Sequence, residues 1–285
     1  MTDTFTEYRA YVFSIAYRML GSVMDAEDMV QETFLHWRKV DQAEVNSPKS
    51  YLATIVTRLC IDHLRSARVQ RETYVGPWLP EPLVTETGPS AEGMTALSDS
   101  LSTAFLVLLE SLTPTERAAF LLREVFAYEY TEVAEIIGKN EANVRQIVSR
   151  ARQHIQARRP RFEPSSTDQT ALLNEFMQAC TNGDMSGLMT LLAEDVVEYS
   201  DGGGKVHAAR KPIIGAEKVA QFMLGITRQA PADSSVQIGQ ANGQPALFIY
   251  VAEELYGVMT MDVGNGRIQN IYSVINPDKL RHLSA

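Results

Sequence analysis

The chain has 285 residues, a formal net charge of −9 and 45% hydrophobic residues, enough for two or three packed domains of about 100–200 residues each. The acidic balance excludes a protein that coats nucleic acid unaided, because such binding is driven by phosphate neutralisation. Cys60 and Cys180 form no C-x-x-C pair, and His36, His63, His154, His207 and His282 have no ligand spacing, so neither a metal site nor a cofactor is expected. No basic leader precedes an apolar run and no window nears about 18 apolar residues, which predicts a soluble, unexported, cytoplasmic chain with no membrane partner.

From Phe5 to about Arg71 the pattern is helical; Pro48 follows the N-cap candidate Ser47 and so opens a new helix. GSVMDAEDMVQETFLHWRK places Asp25, Asp28 and Glu32 on one helical face, with Ala26, Val30, Thr33 and Trp37 nearer the other. The next helix carries Arg58, Arg65, Arg68 and Arg71 against one acid, Asp62. An acidic face followed by a basic helix suits a module that meets a protein on one side and DNA on the other.

Pro77, Pro80, Pro82 and Pro89, with two glycines, mark RETYVGPWLPEPLVTETGPS as a partly extended linker. Helical pattern resumes near Ala91 and runs to about Arg159, with Thr113-Pro114-Thr115-Glu116 as a capping box. In YTEVAEIIGKNEANVRQIVSRARQHI, Gly138 supplies a turn and Asn140 a cap. Val144, Ile147, Val148 and Ala151 then form a buried stripe. Asn143, Arg145, Gln146, Ser149, Arg150 and Arg152 are left outward, and residues 139–161 hold seven Lys or Arg against Glu141 alone. That is helix-turn-helix texture: Arg and Gln can take base edges bidentately, while Ser and the later arginines suit phosphates.

RRPRFEPSST (158–167) makes a second boundary. Beyond it come two helical segments and β-type runs such as ALFIYVAEEL and IQNIYSVI, punctuated by Asn242-Gly243 and Asn265-Gly266, strong hairpin signals. YSDGGGKVHA (199–208) is too short for a phosphate loop, and Val206 stands where that motif needs Ser or Thr. Three glycines permit positive φ and close backbone approach, with Asp201 and Lys205 at the turn's ends. The expectation is a loop that docks the third part against the linker or the helical parts, with Trp78 in its stiff proline-rich segment as the other side.

DAEDMVQETFLHW, SPKSYLATIVTRLCIDHLR and the helix-turn-helix after LTPTERAAFLL resemble, over residues 5–159, regions two and four of bacterial extracytoplasmic-function sigma factors. The third part resembles the SnoaL-like domain, a curved sheet wrapped by helices around a cone-shaped cavity. With PWLPEP (77–82), DGGGK (201–205) and NPDKL (276–280), the chain is similar to the group of these sigma factors that carries a fused SnoaL-like extension. The expected fold class is multi-domain: two all-α helical domains and a C-terminal α+β SnoaL-like cone with a curved sheet. Expected boundaries are 1–71 for region two, 72–95 for the linker, 96–160 for region four and 161–285 for the extension.

The resemblance implies a factor that directs core RNA polymerase to promoter DNA, monomeric when free and not an enzyme, with the extension as built-in regulator. Asp25, Asp28, Gln31, Glu32 and Trp37 would dock on the beta-prime clamp, and region four on the beta flap. Asn46, Ser47, Lys49, Arg58, Arg65 and Arg68 would meet the minus-ten element; Asn143, Arg145, Gln146, Ser149, Arg150 and Arg152 the minus-thirty-five element. Trp78, Asp201, Gly202, Gly203, Gly204, Lys205, Asn276, Pro277, Asp278 and Lys279 would carry interdomain regulation. Related SnoaL-like enzymes use Asp or His in the cavity, which nominates Asp262 or His207. A cyclase- or isomerase-like domain, or a small-molecule sensor, fused to a helix-turn-helix is the other reading, and a small-molecule ligand in the cavity stays open.

Overall fold

The computed structural model describes residues 4–71, 74–84, 101–157 and 166–283. The remainder of the linker, Pro89 included, and Arg158, Arg159 and Arg161 lie outside the described residues, as do the side chains of Arg68 and Arg71. The chain divides into two units, residues 1–73 with 105–159 and residues 74–104 with 160–285.

The first unit is helical. Its elements are α1 (Thr4–Leu20), α2 (Val23–Trp37), α3 (Pro48–Arg71), α4 (Thr103–Leu109), α5 (Pro114–Phe120), a π-helical turn (Leu121–Val125), α6 (Tyr130–Ile137) and α7 (Glu141–Gln156). Local chemistry sets the ends. Ser22 accepts from Asp25 N to start α2, and Thr113 and Glu116 close the expected capping box on α5. Gly138, left-handed at φ 65°, ends α6, and Asn140 accepts from Asn143 N to start α7. Helices α1, α2 and α3 pack together around Val12, Ile15, Leu20, Val30, Trp37, Leu52 and Val56, and α3 also packs on α5 and α6.

The second unit holds α8 (Ser166–Asn182), α9 (Met185–Leu191), β1 (Leu192–Asp201), β2 (Ile213–Ile214), α10 (Ala216–Gln229), β3 (Ser234–Ala241), β4 (Gln244–Val251), β5 (Glu254–Gly264), β6 (Arg267–Val274) and α11 (Pro277–Leu280). The strands form one mixed sheet in the order β2-β1-β6-β5-β4-β3, in which only β1 and β6 run parallel. It is open, with register shifts in β1, β4 and β5. Val196, Leu247, Met259, Met261 and Ile271 face a core closed by Leu173 and Phe176 of α8, Leu188 of α9 and Val219, Ala220 and Met223 of α10.

Both Asn-Gly pairs turn hairpins, at φ 57° and 71° for Asn242-Gly243 and 55° and 71° for Asn265-Gly266. ALFIYVAEEL is not one continuous strand. Ala252 and Glu253 take φ 51° and 67° and turn β4 into β5, a left-handed pair costing about 1–2 kcal/mol per residue that the paired strands on either side impose.

Candidate functional site

Helix α7 buries Val144, Val148, Ala151 and Ile155, with Ile147 at the half-exposed edge of that stripe. Asn143, Arg145, Gln146, Ser149, Arg150 and Arg152 are all exposed. Two of the arginines are held at rest: Arg145 pairs with Glu141 at 2.5 Å and lies 4.2 Å from the centre of the Tyr130 ring, and Arg152 pairs with Glu124 at 2.6 Å. These contacts keep extended guanidinium groups in place at little energetic gain, as exposed pairs do.

On α2 the expected set divides. Asp28, Gln31 and Glu32 are exposed and share their stripe with Met24 at 51% and Leu35 at 43% exposure, two apolar residues that the acidic pattern did not single out. Asp25 turns toward α3, 3.6 Å from His63 Nε2. Trp37 is 1% exposed and tilts against Tyr51 with ring centres 5.8 Å apart, so it holds α2 to α3 from inside rather than offering its indole to a partner. The pattern of the helix had already put it on the apolar face.

Asn46, Ser47, Lys49, Arg58 and Arg65 are exposed. Lys49 Nζ lies 4.9 Å over Tyr11, and Arg65 pairs with Asp62 at 3.3 Å. Arg58 donates to the carbonyls of Ile136 and Glu135, both at 2.9 Å. A cation at the C-terminal end of α6 meets carbonyls that have no intrahelical partner. Beside these bonds, Tyr11 donates to Tyr128 at 2.7 Å and Arg117 donates to Met19 O at 2.6 Å, so polar contacts as well as packing join the two halves of the helical unit.

In the second unit the three motifs meet at one carboxylate. Asp201 is 0% exposed and accepts from Tyr74 Oη at 2.5 Å, Leu79 N at 2.8 Å, Lys279 Nζ at 2.7 Å and Gly203 N at 3.1 Å. Lys279 donates also to Leu79 O, and its ammonium lies 4.0 Å from the Trp78 ring centre and 5.2 Å from that of Tyr74. Burial first, then the bond to Asp201, pushes the Tyr74 phenol above its ordinary range, which keeps it a donor. The Asn276 amide donates to Tyr74 Oη at 2.9 Å, while its oxygen accepts from Asp278 N and caps α11.

The glycines fit this packing. Gly203 sits at φ +58°, where a Cβ would run into Asn276; Gly204 sits at φ +71° against Val75; a Cβ on Gly202 would meet Ala208 at 2.7 Å. Lys205 pairs with Asp278, which Arg281 also approaches at 2.6 Å; the Lys205 bond first, and then these charges, hold the Asp278 carboxyl low. Pro277 is the first residue of α11. The linker segment continues along the same unit: Pro82 O bonds His282 Nε2, Leu83 N donates to the Asn242 side-chain oxygen at 3.2 Å and Leu83 O accepts from Asn242 N at 2.7 Å, beside a bridge from Val84 to Ala241.

Asp262 and His207, the expected catalytic candidates, are apart from the core. Asp262 points from the face of β5 opposite Met259 and Met261 and accepts from Asn270 at 3.0 Å; His207 is exposed on the loop after DGGGK. Strand alternation put Asp262 on the wrong face for a cavity acid. The acid on the core face is Glu198, missed although it alternates with Val196 and Ser200 in VVEYS; it is 0% exposed, and burial pushes its carboxyl up to about 7.

A helix-turn-helix with an exposed Arg/Gln face, a helical partner carrying an acidic-apolar stripe, and an appended α+β unit define a DNA-binding transcription factor. Models of two families match: Sigma-70 region 2 over residues 4–69 and Sigma-70, region 4 over residues 102–155. The chain is 36% identical to the ECF RNA polymerase sigma factor SigJ of Mycobacterium tuberculosis, over 96% of this chain and 91% of that protein. It is 30% identical to the probable ECF RNA polymerase sigma factor SigI of the same organism, over 98% and 94%. The crystal structure of M. tuberculosis SigJ superposes with a TM-score of 0.78 at 32% identity, covering 96% of this chain and 97% of that one. The chain belongs to the extracytoplasmic-function sigma factors, which bring RNA polymerase to promoters.

Proposed function

We propose that this sigma factor is tuned by its own C-terminal unit through the segment Tyr74–Val84, clamped by Asp201 and Lys279. The observation that carries the reading is the buried Asp201 carboxylate, which accepts from both Tyr74 and Leu79. A linker fixed to a folded unit has a set length and direction, whereas a free proline-rich linker only limits reach. Clamping therefore sets how region two and region four are presented to polymerase.

In this reading Met24, Asp28, Gln31, Glu32 and Leu35 meet the clamp of core polymerase. Asn46, Ser47, Lys49, Arg65 and Arg68 serve the minus-ten element, joined by Arg58 once it leaves the α6 carbonyls. The exposed residues of α7 serve the minus-thirty-five element, with region four on the beta flap. The free factor is a monomer that acts in the cytoplasm beside polymerase. In this reading it is not an enzyme, since the fold alone argues no chemistry.

The test is run-off transcription with core polymerase, comparing wild type with Asp201→Asn and Trp78→Ala. A change in activity for both variants supports the clamp; full activity with an undocked linker refutes it.

A further inference from the structure

Among the buried polar side-chain atoms of the second unit that find no hydrogen-bond partner, two lie close together in β1 and β6, on Glu198 and Ser273. Glu198 Oε1 accepts from Ser200 Oγ at 2.6 Å, while Glu198 Oε2 and Ser273 Oγ make no hydrogen bond. Register places Ser200 beside Ser273 and Glu198 beside Ile271 on the same face. An unpaired buried polar group is costly, and native proteins keep few of them without a purpose.

Ser200 also lines a cavity of about 330 Å³, together with Val75 and Gly76 of the linker segment and the loop from Gly202 to Arg210. Ser200 thus touches both the buried acid, through its hydroxyl, and the cavity that it helps to line. When Glu198 is ionised, Ser200 must donate to it and offers the cavity only lone pairs. When Glu198 is protonated it can donate to Ser200, whose own proton then turns to the cavity.

Among the described residues the elements packed on β1 set no charge against Glu198: β6 presents Ile271 and Ser273, β2 presents Ile213, α9 presents Leu188 and α10 presents Val219 and Ala220. Burial dominates, and the bond from the Ser200 hydroxyl opposes it only in part. The other lining residues are Val75, Val206, Ala208, Ala209 and glycines, with His207 and Arg210 as the exposed polar members.

We propose that this cavity is a binding site for a small neutral molecule with a carbonyl oxygen, which accepts from the Ser200 hydroxyl. Apolar walls and a single switchable hydroxyl fit such a ligand, because a buried polar group needs its partner and an apolar wall rewards an uncharged body. Val75 and Gly76 adjoin Tyr74, so an occupant touches the clamped segment. That regulatory consequence rests on the function proposed above; the binding does not.

The probe is prodan, a neutral naphthyl ketone whose emission shifts to the blue on leaving water, titrated into the full-length protein without polymerase at pH 6 and pH 8. Saturable binding is expected, about tenfold weaker at pH 8 as Glu198 loses its proton. Ser200→Ala should weaken binding about tenfold, and Glu198→Gln should flatten the pH dependence. Ala209→Trp, which fills the cavity from its exposed side, should abolish binding even if a core variant folds poorly. No saturation, equal affinity in Ser200→Ala and Ala209→Trp, or binding of 2-naphthoate alone with loss in Arg210→Ala would each overturn the site. A cavity that holds only water gives the first of these results. Failure here leaves the transcription test of the clamp intact, and failure there leaves the binding result intact.

Discussion

Asp201 and Lys279 form an ion pair of 2.7 Å with side chains 0% and 8% exposed, and the same two groups hold both edges of the Leu79 peptide. The pair therefore fixes linker backbone, not only side chains. Removing one member leaves a buried charge without its counterion, which typically costs about 3–5 kcal/mol. Lys279→Met should lower the unfolding free energy of the second unit by that order, measured by urea unfolding. Asp201→Asn combined with Lys279→Met should recover part of the loss, because no lone charge remains. A double variant as unstable as the sum of the singles would contradict this picture.

Gly203 and Gly266 provide a matched comparison. Both sit at positive φ, +58° and +71°, but a Cβ at Gly266 meets nothing within 4 Å, whereas one at Gly203 runs into Asn276. Gly266→Ala is expected to cost about 1–2 kcal/mol from backbone conformation alone. Gly203→Ala should cost more and should also loosen the Tyr74 bond, seen as a change in Trp78 emission. Equal losses for the two variants would mean that the Gly203 contact is unimportant.

The Glu198 carboxyl shifts from an ordinary 4.5 to about 7 through burial, so its effect on stability has a definite sign. Below pH 4.5 the acid is protonated in both folded and unfolded chains. Between pH 4.5 and 7 the unfolded chain ionises first, so stability falls as pH rises and levels off above 7. The full loss is on the order of 3 kcal/mol. Glu198→Gln should remove most of this slope and be the more stable protein at pH 8; parallel stability profiles for variant and wild type would rule the account out.

On α7, Arg150 is exposed and carries no ion pair among the described residues, whereas Arg145 and Arg152 are tied to Glu141 and Glu124. Arg150→Ala should weaken binding of the holoenzyme to its promoter by about 1–3 kcal/mol if it reads a base. If it holds a phosphate instead, the loss should be uniform across sequences and the salt dependence should drop by about one counterion. Unchanged affinity and salt slope would remove Arg150 from the DNA face.

Much of this was legible from local signals. The capping box at Thr113–Glu116, the Gly138 turn, the α7 stripe and both Asn-Gly hairpins follow from chemistry within a few residues, where pattern and propensity act together. The Ala252-Glu253 turn was not legible, because neither residue favours left-handed backbone and the paired strands dictate it. For PWLPEP, prolines indicate an extended segment and the DGGGK loop with Asp201 is expected to dock, but the atoms that bind Asp201, the Tyr74 hydroxyl and the Leu79 N–H, lie 122 or more residues away and follow from no local signal. Glu198 was overlooked because a single Glu in a strand reads as solvated until the sheet's faces are known, and the same ignorance of faces favoured Asp262.

The central claim is that the clamped linker governs transcription. The most direct test is run-off transcription by holoenzymes assembled with wild type and with Tyr74→Phe/Asp201→Asn, after Trp78 emission has confirmed that the linker has come loose. The account predicts that activity changes by about fivefold or more, the scale of a coupling of at least 1 kcal/mol. Equal activity from a chain whose linker is demonstrably undocked would contradict it.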